Sequence, residues 1–378
     1  MKKSLALLLA LCTLLGGCAA HKGGYYAPAT LPQAAAPAQT VPATEPSTEP
    51  VTEPTTEPTT EPTTEPTTAP TEPPLLYQNP LTGEALAEPY TARPVAVVIN
   101  NISSAMPQHG ISDAAFLCEC MVEGGLTRCL AIFDDIEKAA GLGAIRSART
   151  YFLSLAMSFN APLVHFGSSK FFDEMYKEQQ WQRINGMSGT YNKFFYRNPE
   201  RLAAGYAKEH TVFTSGAKLK EALEKKKIPL TTENQTYSWQ FSENVALGGG
   251  SAQKVEVTFR SRKTTSFTYQ PDTGLYAAFQ HGKDYIDGNH GGVLDFRNIL
   301  VLFANISYST TSTHVFAQLT GTGTGYLAVD GEYVAIHWSR ETERDGFVLT
   351  LEDGSPVTLG VGSTYLAVSP TGSRITFE

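Results

Sequence analysis

Six Thr-Glu-Pro units, one every four residues from Thr44 to Pro66, remove a long stretch of this chain from any folded core. Proline fixes φ and blocks helix, regularly spaced glutamates repel one another, and Ala19 to about Pro74 offers almost no large apolar side chain to bury. The segment reads as an extended, disordered stalk. In polyproline II geometry, at about 3.1 Å per residue, some fifty residues would reach on the order of 150 Å. Folding is thereby confined to the roughly 300 residues that follow, enough for two domains with cores of their own.

The start of the chain gives the stalk a context. Lys2 and Lys3 precede an apolar run from Leu5 to Leu15, too short to span a bilayer, and small residues follow. These are the parts of a secretory signal over residues 1–17. Leu15-Gly16-Gly17-Cys18 resembles a bacterial lipobox, which implies cleavage before Cys18, diacylation of its sulfur and retention at the outer face of the cell membrane. A spacer long enough to lift a domain through a thick wall suggests a Gram-positive host.

Charge narrows the partners. Seven of the 37 acidic residues and three of the 29 basic ones lie before residue 75, leaving the remainder mildly acidic at −4. No basic field argues for nucleic acid, and no second long apolar run argues for a membrane span. The expected organisation is α+β: a stalk over 18–74, a mixed α/β N-terminal domain over 75–228, a linker over 229–250 and a β-rich C-terminal domain over 251–378.

Within the first half, Val95-Ala-Val-Val-Ile99 reads as a fully buried strand closed by Asn100-Asn101. Phe116–Val122 alternates, and Gly124-Gly125 is a two-residue turn signal before another strand, Leu126–Phe133, which together predict a β-hairpin. A two-residue loop places Met121 opposite Arg128 and Cys120 opposite Cys129. Glu119, Glu123 and Arg128 then share one face, and three cysteines the other. Such a pair has Cα atoms about 4.5 Å apart, just within disulfide reach, and small core residues are the alternative explanation. The spacing argues against a zinc site.

Arg146-Ser147-Ala148-Arg149 enters a helical pattern in which Phe152, Ala156 and Phe159 form an apolar stripe, with Ser147 as the expected N-cap. Free amides, the helix dipole and two flanking guanidiniums make an anion site, or else the arginines pair with Glu119, Glu123 or Asp134 as a structural network. His165 ends a further buried strand, where it is either a general base or a satisfied core residue.

Arg93-Pro-Val-Ala-Val, Asn100-Asn101, Pro107-Gln108-x-Gly110, Glu119, Val122-Glu-Gly-Gly, Thr127-Arg128, Ile145-Arg-Ser-Ala-Arg149 and His165-x-Gly167 resemble the N-terminal domain of the YerB-like lipoproteins. The resemblance covers about residues 78–372. It implies a domain of unknown function (number 3048) in N- and C-terminal parts, the second β-rich, and brings no activity with it. Cys118 stands where that family usually has Tyr, and Ala115 where it usually has Asp, so a carboxylate site using that Asp would be incomplete here.

Beyond Gly248-Gly249-Gly250, nine short strand patterns punctuated by Asp272-Thr-Gly274, Asp330-Gly331 and Asp353-Gly354 predict a sandwich or strongly bent sheet. The run TGTGTG, Thr320–Gly325, lacks the helix and lysine of a phosphate loop and reads as a hairpin bend. The functional expectation is a non-catalytic binding module for an anionic group of a cell-wall polymer or envelope protein. Its ligand residues are Arg128, Arg146, Ser147, Arg149, Asn100 and Asn101, and no cofactor or metal is implied. The alternative is a hydrolase or transferase on envelope glycan or a phosphodiester-linked polymer, with Glu119 or Glu123 as acid or base and His165 assisting.

Overall fold

The structure, a computed structural model, describes residues 77–378 apart from 238, 261 and 262. The signal segment, Cys18 and the stalk lie outside these residues. Numbering the principal elements in chain order, β1 is Val95–Asn101, β2 Phe116–Met121, β3 Thr127–Phe133, α1 Thr150–Ser158, β4 Leu163–His165, α2 Lys170–Gln179, β5 Arg183–Asn185 and α3 Gly216–Lys225. The second half contributes β6 Lys254–Arg260, β7 Lys263–Gln270, β8 Leu275–Gln280, β9 Asn298–Tyr308, β10 Val315–Gln318, β11 Gly321–Val329, β12 Glu332–Arg340, β13 Thr364–Pro370 and β14 Ile375–Phe377.

One twelve-stranded sheet runs through both halves of the chain, its central order β12-β11-β9-β13-β2-β3-β1-β4-β5. The crossing point is β13, which pairs in parallel with β9 on one side and with β2 on the other. Parallel neighbours are buried on both faces. The side chains agree: every residue of β1 and β2 and all of β13 up to Ser369 is buried. A six-stranded sheet containing β8-β7-β6-β14 covers one face of the large sheet together with α3, while α1 and α2 cover the other. The result is a mixed α and β architecture in layers. Residues 229–250 contribute to it, since Gln240–Ser242 pairs in parallel with Thr358–Gly360.

All nine strands expected after residue 250 are present, because their alternation and turn residues are local signals. Thr320–Gly325 departs from expectation: Gly321 onward is strand, paired residue for residue with β12. α1 departs as well. It is buried all round rather than along one stripe, because Phe159 and its neighbours are roofed by Tyr237 and Trp239 from the connecting segment.

The hairpin is where the structure corrects the sequence reading most. Val122–Leu126 forms the loop, with Val122 N–H donating to Leu126 O (2.8 Å), and both Gly124 and Gly125 take positive φ. Glu119 therefore faces Cys129, and Cys120 faces Arg128. The loop is longer than the two glycines alone, and the pairing moves by one residue, which sends alternate side chains to opposite faces. Arg128 is thus separated from Glu119, and Cys120 from Cys129. The Cys120–Cys129 disulfide is excluded by this register; Cys118, Cys120 and Cys129 are free and buried.

Candidate functional site

The shifted register sorts the candidate residues into two groups on opposite faces of the large sheet. On the face shared with the six-stranded sheet, the Glu119 carboxylate is fully buried. Its Oε1 accepts from Asn101 Nδ2 (2.8 Å) and from the Thr127 hydroxyl, and lies 3.0 Å from Lys263 Nζ. Its Oε2 accepts from Thr265 Oγ1 (2.8 Å) and from the Tyr365 hydroxyl. Burial pushes this carboxyl up, but Lys263 and the three hydroxyl donors outweigh it and hold it below the usual range. Lys263 is itself enclosed and donates to Thr265 Oγ1 and to Gln280 Oε1. Gln280 Nε2 closes the circuit on Asn101 Oδ1 at 3.0 Å. Both oxygens of Glu119 are saturated, so the group pins the two sheets together.

On the helix face three arginines gather beside the start of α1. Arg128, 8% exposed, donates from Nη1 to Ser147 O at 2.7 Å. Arg149 grips Glu123 through two bonds of 2.7 Å, a bidentate fork. Arg146 donates to Glu209 O at 3.2 Å, and its buried Nε has no partner among the described residues. Burial first, then the neighbouring charges of Arg149 and Arg146, push the Arg128 guanidinium down to about 9. Among the described residues one carboxylate, Glu123, is ion-paired to these three cations. The cluster therefore carries an excess of positive charge in a partly desolvated setting.

Other expected positions fall differently. Ser147 is not the N-cap of α1: Arg149 occupies that position without a side-chain bond to the helix amides, and the Ser147 hydroxyl donates to Phe166 O instead. The chain reaches α1 in an extended conformation, so helical geometry begins two residues later than the pattern suggested. Asn100 contacts His210 Nδ1 at 2.9 Å on the arginine side, whereas Asn101 belongs to the Glu119 network. Asp134 pairs with Lys138 and Asn79 and has no arginine partner among the described residues.

His165 sits apart from both groups. It is fully buried, its Nδ1 bonds Gly167 O at 2.7 Å, its Nε2 is unpartnered among the described residues, and burial pushes it down to about 4. No hydrogen bond among the described residues links Glu119, Glu123 and His165.

Lys263, Thr265, Gln280 and Tyr365 were invisible to a reading of the first half alone. They complete the Glu119 cage from 146 residues away in the case of Thr265 and 246 in that of Tyr365. The local signal that Lys263 is special is weak: a lysine beginning a strand usually faces water.

Comparison with known proteins adds the following. Residues 81–229 match the family described as protein of unknown function (DUF3048), N-terminal domain, and residues 255–366 match its C-terminal domain. A relative named "Putative lipoprotein YerB" from Bacillus subtilis (strain 168) is 28% identical over 296 residues, covering 77% of this chain and 86% of its own. A crystal structure of YerB protein from Bacillus subtilis matches with a TM-score of 0.68 and 26% identity, covering 79% of this chain and 99% of that one.

Proposed function

This chain belongs to the DUF3048 family of proteins of unknown function, and from that premise we propose that it is a lipid-anchored, extracytoplasmic binding module whose arginine cluster holds an anionic group of a cell-envelope polymer or partner. The lipoprotein name of its Bacillus relative supports the anchoring, as does Cys18 in its lipobox-like setting. The observation that carries the binding reading is Arg128: a guanidinium nearly removed from water, with no carboxylate ion-paired to it among the described residues and two further arginines beside it. A buried cation without an anion is unfavourable, and an arriving phosphate or carboxylate would relieve the repulsion and take bidentate bonds. Arg146 and Arg149 are half-buried, so this group is nearer to water than the sealed Glu119 cage.

Arrangement favours binding over turnover. Glu119 is saturated with donors, Glu123 is committed to Arg149, and His165 lies elsewhere, which gives the hydrolase or transferase alternative little support. The test is a thermal-shift titration with phosphate, pyrophosphate and glycerol-phosphate oligomers, on the chain and on an Arg146→Ala/Arg149→Ala variant. At one hundred times Kd a ligand adds about 2.7 kcal/mol. Stabilisation that grows with ligand and disappears in the variant supports the reading. Equal shifts in both proteins, or none in either, refute it.

A further inference from the structure

The TGTGTG run, unexplained as a phosphate loop or a bend, lies beside a cavity of about 460 Å³ whose lining includes none of the three clustered arginines. Its origin is a mismatch in chain length. Between the Leu302–Gly325 and Asn305–Gln318 pairs, β9 has two residues, Phe303 and Ala304, while the returning chain has six, Leu319–Thr324. The longer chain bows away from β9 and pairs with β12 instead. Trp338 spans the opening: its indole Nε1 donates to Phe303 O at 3.1 Å, and Gly323 lies so close to the ring that a Cβ there would meet it at 2.5 Å. Glycine at that position lets the chain lie on the indole, and Thr322 and Thr324 on either side of it are exposed.

The chemistry of the lining is selective. Asn305, Gln318, Thr320, Thr322, Thr324 and Thr371 surround the cavity with amides and hydroxyls, and no charged side chain lines it. None of these six side chains has a hydrogen-bond partner among the described residues, so each is free to donate and accept. Phe303, half-buried, adds an apolar face. A phosphate-bearing polymer would find no cation here. An added peptide strand would find only a two-residue gap in β9, with the carbonyl of Phe303 already taken by Trp338. A neutral polyhydroxylated ligand matches the donors, the acceptors and the apolar face together.

We propose that this bulge is a binding groove for a neutral oligosaccharide, a second site separate from the arginine cluster. Isothermal titration of the full chain with N-acetylglucosamine tetramer and cellotetraose tests it, with pyrophosphate and a Thr/Gly-rich hexapeptide as the charged and strand-forming comparisons. At least one tetramer should bind. Asn305→Ala/Gln318→Ala, which removes only exposed side chains, should weaken it by about tenfold or more, as the loss of two hydrogen bonds implies. Arg146→Ala/Arg149→Ala should leave it unchanged, which separates this site from the anion site. Failure of both tetramers to bind, undiminished binding in the Asn305/Gln318 variant, or saturation by the peptide in their place overturns the proposal.

Discussion

Replacing Glu119 by Gln tests whether the pair with Lys263 fastens the two sheets. At 3.0 Å and an effective dielectric of about 20, the direct attraction is about 5.5 kcal/mol before desolvation is set against it. Glutamine keeps the shape but places an amide donor where Asn101, Thr127, Thr265, Tyr365 and Lys263 all donate, and leaves an ammonium buried without its anion. Breaking one side of a buried pair costs about 3–5 kcal/mol. For a folded unit of this size that corresponds to a fall in Tm on the order of 10 °C. Urea unfolding at pH 7 should show a lower midpoint with an unchanged slope. Lys263→Met should also destabilise, and the double variant Glu119→Gln/Lys263→Met should lose less than the sum, with a coupling of about 2 kcal/mol or more. The pH dependence has a fixed sign. Glu119 is held below its unfolded value of about 4.3, so its contribution is complete above that pH and vanishes as pH falls through the lowered folded value. A Glu119→Gln protein within about 1 kcal/mol of the parent, or strictly additive single and double variants, would refute the argument.

Three further outcomes are expected. His165 is pushed down to about 4 by burial, so the unfolded chain takes up its proton first, and stability should decline as pH falls from about 6.5 toward 4; a His165→Phe variant whose stability declines equally over that window would contradict this. Burial pushes the thiols of Cys118, Cys120 and Cys129 upward, so iodoacetamide at pH 8 should label none of the three in the folded protein and all three in urea, read by peptide mass, and reductant should not shift the melting curve. Gly216→Ala, though it favours helix by about 1 kcal/mol, should destabilise by about 2 kcal/mol or more, because a Cβ there would lie 1.8 Å from Ile136 O, a backbone atom that cannot swing aside; an unchanged urea midpoint would show that the Ile136 turn yields.

Local pattern carried much of this protein. The buried strand Val95–Ile99 follows from an unbroken apolar run, and the strands after residue 250 from alternation and turn residues, since each signal is written within about ten residues of itself. The arginines of the candidate site were legible too, as polar groups in a stretch otherwise built for a core. Their assignment to a face was not. It depended on how many residues the Glu123–Gly125 turn takes up, and that difference moved Glu119 and Arg128 to opposite sides of the sheet. What Glu119 does there was settled by Lys263, Thr265 and Tyr365, which arrive only because β13 enters beside β2 and the second sheet folds over it. Periodicity fixes which element a segment forms because it is local; which buried charge meets which partner depends on contacts closed across more than a hundred residues, and those exist only in the assembled tertiary structure.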